Sequence, residues 1–327
     1  MIRTDSLRSA EDDGRAAASI IVEWENARTV GASRAEAVVD ELLSQIRGVS
    51  SPQAIELVFV CTSGTCEEAD IQAILAARKK SLPNRVKIVA VETGDYYQQK
   101  NLGAAAADGR LLLFIDSDVV PQPGWLRGML EAADDPRVDV VGGVTIVSCS
   151  GFYERAMALI WIFPLRPEQA SLVPVAYFHA NNFAISATLF AGHRFPDTGQ
   201  HRGQCGLLAD ELRSAGRRIW LSQRARVEHP PPEGVRQFFL RAWRSGRDEA
   251  MRQRIKGKSW IAGGTKVVAA DLLYAFRRVR SDHGLVGFGP VRALAAAALA
   301  LAYYGTRYLG LLSSGLSPHG GRASKAA

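Results

Sequence analysis

The chain of 327 residues is long enough for one large domain or for a domain with an appendage, and 47% hydrophobic residues can form a substantial core. A formal net charge of +7 favours a polyanionic partner, but the sequence contains no nucleic-acid-binding motif, so no nucleic acid is expected. Four cysteines without zinc spacing or a dense disulfide pattern predict a reducing compartment. No signal peptide is visible, and residues 1–15 are polar and predicted to be disordered.

The first half of the chain alternates apolar strand-like runs with helical stripes. Short turns separate these segments, which predicts a parallel sheet covered by helices on both faces. The pattern Ser33-Arg34-Ala35-Glu36 predicts a capping box at the start of the first long helix. The predicted strands are Ala16–Val22, Ile55–Cys61, Val86–Val91, a central strand from Leu111, and Val138–Val147, and two further helices are predicted at Gln98–Ala107 and Trp125–Ala133.

The central strand ends in Asp116-Ser117-Asp118. Carboxylates beside a dry core are costly unless they are paired, hydrogen-bonded or bound to a cation. Two carboxylates separated by one residue suit a hard divalent ion that also holds phosphates, provided that the extended geometry continues through Ser117 and puts both on one face. The alternative is a solvated turn, since Asp and Ser are common turn formers.

Polar residues follow three of the predicted strands. In a parallel sheet, ligands bind beyond the carboxyl ends of the strands. This rule places Glu23–Asn26, Cys61–Gly64 and Asp116–Asp118 along one edge of the sheet, and a shared site explains them better than three unrelated loops.

The second half of the chain has a different character. A helix from about Leu207 to Ala215 ends at Gly216, a good C-cap, and Ile219–Leu221 is extended. Further along, His229 is followed by three prolines that fix the chain direction.

The order of these segments resembles the inverting family 2 glycosyltransferases of the GT-A fold. The resemblance covers roughly Ala16 to Pro232, and Asp116-Ser117-Asp118 occupies the place of the family's DXD motif. It implies an α/β fold with a mostly parallel, Rossmann-like GT-A sheet sandwiched by helices. The other matching segments are Ser19–Val22 with Asn26, Gln99–Gly103 with Ala106–Gly109, Asn182–Ile185 with Phe195–Asp197, and the helix ending at Gly216 with the terminal His229.

The resemblance also implies roles for individual residues. By position, Asp116 would face the nucleotide ribose, and Asp118 would bind a divalent metal, Mg or Mn, on the diphosphate. Asp116 and His229 are the other predicted metal ligands, with an ordinary capping histidine as the alternative for His229. The predicted donor-binding residues are Glu23, Glu25, Asn26, Thr62, Ser63, Lys100, Asn101, Asp116, Ser117 and Asp118, and the predicted acceptor-side residues are Asn181, Asn182 and Trp243.

Two departures from the family pattern leave the nucleotide open. The first strand runs into Glu23-Trp24-Glu25, and the second ends in Cys61-Thr62-Ser63 where the family usually has an acidic pair that meets the base. Trp24 suits either stacking on a base or burial in the core.

The catalytic base is also open, because inversion needs a carboxylate that takes the acceptor proton. The usual spacing back from Gly216 arrives at Gln204-Cys205, which are not acids. Asp210 is therefore the first candidate, with Glu211 beside it and Asp197 as the main substitute. The alternative for Asp210 and Glu211 is a solvated helix face with Arg213 nearby.

The C-terminal third is basic and contains an uncharged segment, Ala293–Thr306, that consists mostly of Ala and Leu. The predicted domains are a glycosyltransferase domain at 16–235, a basic helical extension at 236–290, an apolar helix at 291–316 and a disordered tail at 317–327. The apolar helix suits a marginal membrane span, an interfacial helix or a helix packed on the domain. Tyrosines in it and arginines before it favour peripheral or single-helix association with the cytoplasmic face of the cell membrane.

The predicted protein is thus a membrane-associated, metal-dependent, hexosyltransferase-like glycosyltransferase. It would move a sugar from a nucleoside diphosphate sugar, with inversion, to a glycan or lipid-linked acceptor of the cell envelope. One alternative is a catalytically silent nucleotide-sugar-binding or scaffold protein on the same fold. Another is a nucleotidyltransferase, although Glu23–Arg28 lacks the Gly-rich basic loop of that class.

Overall fold

The computed structural model describes residues 15–92, 94–161, 163–165 and 171–315, so the disordered ends predicted for 1–15 and 317–327 fall, except for Arg15, outside the described residues. The chain forms two compact units. Within the described residues, the first comprises 15–158, 163–199 and 204–231, and the second comprises 159–161, 200–203 and 232–315. The basic extension and the apolar helix, predicted as separate parts, belong to one unit.

The first unit contains a mixed sheet in the order β3-β2-β1-β4-β8-β6-β9-β5, with β7 paired to β9. Strands β1 to β4 run parallel, whereas β8 is antiparallel to both β4 and β6. The sheet is therefore less parallel than predicted, because the second half of the chain adds antiparallel pairs. The strands are β1 Ala18–Glu23, β2 Ile55–Thr62, β3 Arg85–Val91, β4 Leu111–Asp116, β5 Val120–Pro121, β6 Val140–Val147, β7 Leu172–Pro174, β8 Asn182–Ser186 and β9 Ile219–His229.

Helices flank this sheet. The first long one, α2, starts at Ala32 rather than at Ser33, and its N-cap is Gly31 with no side-chain hydrogen bond, so the predicted capping box is wrong. The helices of this part are α1 Ala27–Val30, α2 Ala32–Arg47, α3 Glu67–Ala77, α4 Tyr96–Ala106, α5 Trp125–Ala133, α6 Phe152–Ile160, α7 Ala187–Gly192 and α8 Gln204–Ser214.

The core of the first unit explains why the strands could be read from the sequence. Every residue of β1 is buried, and so are nearly all residues of β2 and β4. Strands buried on both faces need continuous apolar runs, which are easy to recognise. On α2, one apolar stripe packs on this core and includes Val38, Leu42 and Ile46.

The second unit is built mainly from three long helices, α9 Gly234–Ile255, α10 Trp260–Asp282 and α11 Pro290–Ser313. The ring of Tyr303 packs on Phe238 at 5.2 Å, and the hydroxyl of Tyr304 donates to the carbonyl of Ile160 at 2.8 Å. The buried Arg307 of α11 forms an ion pair with Asp271 of α10 at 2.5 Å. In the part of the chain that the structure describes, none of the helices is both long and apolar enough to span a bilayer.

Candidate functional site

The carboxylate of Asp116 is the centre of a buried hydrogen-bond network at the end of β4. The hydroxyl of Tyr96 donates to it, with distances of 2.8 and 2.9 Å to the two oxygens. The ammonium of Lys100 lies 2.7 Å from Oδ1, and its side chain is completely buried. Because α4 carries Tyr96 and Lys100 on one face, a single helix delivers a hydroxyl and a cation to the end of the central strand.

The loop after β1 completes this network. Glu23 pairs with Asp116 in the parallel register of β1 and β4 and is fully buried. The side-chain amide nitrogen of Asn26 donates to Glu23 at 3.0 Å and to Asp116 at 3.2 Å, so it bridges the two carboxylates. Two neighbouring buried carboxylates repel each other, and the amide and the Lys100 cation offset that repulsion.

Asp118 lies in a turn and not in the strand. β4 ends at Asp116, and the backbone N–H of Val119 donates to the carbonyl of Asp116 at 3.2 Å, which closes a turn. The extended geometry therefore does not continue through Ser117, so the condition for Asp116 and Asp118 to share a face is not met. The carboxylate of Asp116 is engaged by Lys100, and Asp118 is a separate, buried group.

Arg34 holds the Asp118 turn against the end of β9. Its Nε donates to the carbonyl of Asp118 at 2.6 Å, and its Nη2 donates to the carbonyl of Glu228 at 2.9 Å. Strand β5 pairs Val120 with Glu228, which brings the turn close to His229. In the sequence, Arg34 was visible only as part of a predicted helix cap. Its position near the start of the first long helix, α2, was the available signal for a role at the sheet edge.

His229 is buried at the end of β9. Its Nδ1 lies 2.5 Å from the carbonyl oxygen of Pro230. A carbonyl only accepts, so Nδ1 is the donor in this contact and carries a proton. The rings of His229 and His179 lie against the same Phe163 ring, at 5.5 and 4.9 Å.

A divalent metal fits this site only in part. Within the described residues, no group of three or more His, Cys, Asp and Glu side chains is arranged to hold a metal, so the predicted trio of Asp116, Asp118 and His229 is not assembled. The physical reason is that the Asp116 carboxylate is already occupied by Lys100 and two further donors. Magnesium in nucleotide sites usually needs only one or two carboxylates together with substrate phosphates, and Asp118 matches that requirement.

The edge segment Cys61–Gly64 contacts an acid, Glu67, that was not among the predicted site residues. The carboxylate of Glu67 accepts the backbone N–H of Thr62 at 2.7 Å and pairs with Arg28 at 2.6 Å. The side-chain amide of Gln99 donates to the hydroxyl of Thr62 at 3.0 Å. The acidic residue was expected directly at the end of β2, where the family usually has it. The available signal for Glu67 was its place in the first turn of the following helix, α3.

Several predicted binding residues have structural roles in these contacts. Trp24 is buried against Phe59, which favours its core alternative over base stacking. The amide of Asn101 exchanges two hydrogen bonds with the backbone of Phe195, at 2.9 and 3.1 Å. Asn182 accepts from the Trp125 indole and donates to the carbonyls of Val144 and Ala225, so its amide is used inside the sheet instead of for an acceptor.

The remaining predicted residues lie in several places. Asn181 accepts from the hydroxyl of Thr145 at 3.3 Å. Glu25 is half-buried after β1, Ser63 is exposed after β2, and Ser117 is buried in the turn. Trp243 lies in α9 of the second unit, where its backbone carbonyl is next to Gly310.

The predicted catalytic acids are on the surface of the first unit. Asp210 pairs with Arg213 at 3.5 Å, and Glu211 lies 2.6 Å from Nδ1 of His193. These are the contacts of the solvated-helix alternative. At the start of α8, Gln204 is buried and the Sγ of Cys205 lies 3.7 Å from the hydroxyl of Tyr97, so the helix register is not shifted to bring Asp210 there.

The partner of Glu211, His193, lines a cavity of about 480 Å³. Leu111 and Ser186 line the same cavity. Leu111 begins β4 and pairs with Ser186, so the cavity is at the strand end opposite Asp116. Asp197 is exposed but follows Phe195 by two residues, and Phe195 packs on Tyr97 at 4.9 Å, one residue from Tyr96.

The sequence model of Glycosyl transferase family 2 matches residues 23–191, which is more than half of the chain. The chain belongs to this family. It is therefore a glycosyltransferase, and the fold predicted from the DXD-like segment and its neighbours is confirmed. A search of curated protein sequences found no significant match.

Solved structures support the fold of this family 2 protein. The mannosyltransferase PcManGT from Pyrobaculum calidifontis, solved with GDP-Man and Mn2+, is 18% identical with a TM-score of 0.58, and the alignment covers 92% of this chain and 86% of that one. TarS from S. aureus, residues 1–349 with UDP-GlcNAc, is 15% identical with a TM-score of 0.51, and 91% of each chain is covered.

Proposed function

We propose that this glycosyltransferase moves a sugar from a nucleoside diphosphate sugar to an acceptor hydroxyl, with inversion, and that a divalent ion assists. One observation carries the proposal: at the end of β4, Asp116 is locked to Lys100, Tyr96 and Asn26, while Asp118 lies in the following turn. The site thus contains two carboxylates with different surroundings: that of Asp116 is held by three donors, and that of Asp118 lies two residues further along the chain. Nucleotide sugars bound to the two structural neighbours support the donor class.

Asp116 would act mainly through the groups that it holds. The hydroxyl of Tyr96, the ammonium of Lys100 and the amide of Asn26 use most of its acceptor capacity, which leaves little for a ribose hydroxyl. The network would instead fix the edge of the donor pocket, with Thr62 at the end of β2 and Glu67 at the start of α3 as further candidates.

Asp118 would hold the ion together with the donor diphosphate, and Nε2 of His229 is a second candidate ligand. When bound, such an ion offsets the charge that develops on the leaving nucleoside diphosphate. Arg34 would keep the turn in place through the carbonyl of Asp118. The Mn2+ in the PcManGT complex supports this assignment.

Asp197 is the proposed catalytic base. It is exposed and close in sequence to Phe195, whose ring contacts Tyr97, whereas Asp210 and Glu211 are paired with Arg213 and His193. A base must reach the acceptor hydroxyl, so a carboxylate on the Tyr97 side of the sheet is favoured over one engaged elsewhere.

The donor proposal is tested by thermal unfolding with a panel of nucleoside diphosphate sugars, beginning with GDP-mannose and UDP-GlcNAc, with and without Mn2+. A donor at about 100 times its Kd should stabilise the native state by about 2.7 kcal/mol. Asp118→Asn should lose the Mn2+-dependent part of this stabilisation, and Asp70→Asn, an exposed aspartate on α3, should keep it. Stabilisation by none of the donors would overturn the proposal.

The base and the stereochemistry are tested with an acceptor found by product analysis. Asp197→Asn should keep donor binding and lower kcat by about 100-fold or more. Asp210→Asn is the matched control and should change kcat little. NMR of the first-formed product should show the inverted anomer; a retained anomer would refute inversion, and an unaffected rate in Asp197→Asn would refute the base.

A further inference from the structure

The last helix of the second unit, α11, has a continuous exposed apolar face. Val291 is 82% exposed, Leu294 74% and Leu301 54%, and Leu309 and Leu312 follow further along the helix. These positions recur at intervals of three, seven or eight residues, so they lie along one side of the helix. At 24 residues, the helix is about 36 Å long.

The opposite face of α11 is held firmly. Tyr303 packs on Phe238, Tyr304 donates to Ile160, and Arg307 is paired with Asp271. These contacts fix the rotation of the helix about its axis. The leucines are therefore exposed because the opposite face of α11 is packed. Large apolar side chains that are exposed along a whole helix indicate an interaction site.

The exposed charges in this part of the chain are of one sign. Among the described residues 256–315, the exposed charged side chains are all basic, and the two acids, Asp271 and Asp282, are half-buried. The exposed basic residues are Lys256, Lys258, Lys266, Arg277, Arg280 and Arg292.

We propose that α11 and the basic residues before it dock the protein onto an anionic bilayer surface, with the leucine face of α11 inserted at the lipid interface. An exposed apolar helix face, together with exposed cations and no exposed acids in the same part of the chain, fits binding at an anionic lipid interface. Each cation near an anionic leaflet strengthens binding by about fivefold. A second copy of the chain is a poorer partner, because an isologous contact would bring the same cations together.

The test is co-sedimentation of the full chain with vesicles of phosphatidylcholine alone, or with about one third phosphatidylserine. The protein should bind only the anionic vesicles. The double variant Leu294→Ser/Leu301→Ser should weaken binding by about 100-fold. Leu102→Ser, an exposed leucine on α4, should bind like the parent.

A charge-reversal set completes the test. The triple variant Lys266→Glu/Arg277→Glu/Arg280→Glu should weaken binding to anionic vesicles by about 100-fold or more. Lys79→Glu/Lys80→Glu, which reverses exposed charges in the first unit, should not. Donor-induced stabilisation should persist in all variants, which separates this proposal from that of the active site.

Two results would overturn the proposal. The first is equal sedimentation with neutral and anionic vesicles, or none with either. The second is a concentration-dependent dimer in analytical ultracentrifugation that Leu294→Ser/Leu301→Ser abolishes, which would assign the face to a second copy of the chain.

Discussion

At the scale of single residues, the fold depends on the buried Asp116–Lys100 pair. Both side chains are almost completely shielded from water, and removing one partner of such a pair leaves a buried charge uncompensated. We expect Lys100→Met to lower the free energy of unfolding by about 3–5 kcal/mol. Urea denaturation measures this loss.

An exposed pair provides the control for this prediction. Arg213→Met breaks the Arg213–Asp210 contact on α8 and should cost at most about 1 kcal/mol. Lys100→Met combined with Asp116→Asn should recover part of the loss, because the remaining group is then neutral. A cost for Lys100→Met as small as that for Arg213→Met would contradict the role assigned to this pair.

Asp248 of α9 makes stability depend on pH with an unusual sign. Its carboxylate accepts the backbone N–H groups of His201 and Arg202, each at 3.0 Å, but burial raises its pKa from 3.8 to about 6. Between these values the folded state binds more protons than the unfolded state, so the contribution of Asp248 to stability falls as pH rises from about 4 to about 6. The fall should reach about 3 kcal/mol.

The measurement is the difference in unfolding free energy between the parent and Asp248→Asn, followed from pH 4 to pH 7. This difference should decrease. Asp40 is the opposite control, because its hydrogen bond to Arg78 lowers the pKa of its carboxyl. The parent minus Asp40→Asn difference should increase with pH across the range where aspartate titrates. A flat profile for Asp248 would contradict its assignment.

At the scale of elements, glycines set how closely α9 and α11 approach. A Cβ at Gly246 would overlap the carbonyl oxygen of Arg307 on the facing helix, whereas nothing lies within 4 Å of a Cβ at Gly305. We expect Gly246→Ala to lower stability by about 1–3 kcal/mol despite the better helix propensity of alanine.

The matched variant Gly305→Ala should raise stability by about 0.5–1 kcal/mol, because alanine gains helix propensity without any overlap. Thermal or urea unfolding of both variants decides the point. Equal and favourable effects of the two substitutions would show that the helices can separate without cost.

Strands and helices differed in how well the sequence predicted them. The parallel strands β1 to β4 were predicted to within two residues, since strands buried on both faces consist of apolar runs. β9 was predicted as the short segment Ile219–Leu221, but it extends to His229. Its second half contains polar and charged residues, so no apolar run marks it as a strand in the sequence. Its pairing with β6 and β5 becomes visible only in the fold.

At the scale of the whole molecule, two kinds of electrostatic interaction should respond differently to salt. The Debye length falls from about 10 Å at 0.1 M to about 3 Å at 1 M ionic strength, so exposed charges are screened and buried pairs are not. Vesicle binding through the exposed cations of the second unit should therefore disappear at high salt. The destabilisation caused by Lys100→Met, measured by urea unfolding at both salt concentrations, should remain. Loss of the second effect with salt would contradict the burial of the Asp116–Lys100 pair.

The sequence by itself determined the family, the alternation of strands and helices, and the importance of the segment from Asp116 to Asp118. These features depend on local patterns, namely apolar runs, glycines and the order of motifs. The resemblance to the family also pointed to Lys100 and Asn26, which lie beside Asp116.

Only the tertiary structure decided what each group does there. It showed that a turn separates Asp116 from Asp118, that Arg34 and Glu67 belong to the edge of the site, and that Asp210 and Glu211 are paired elsewhere. It also showed which side of α11 faces outward. The physical reason is that hydrogen bonds and ion pairs between residues far apart in the chain exist only after the strands have paired, and no local pattern encodes their partners.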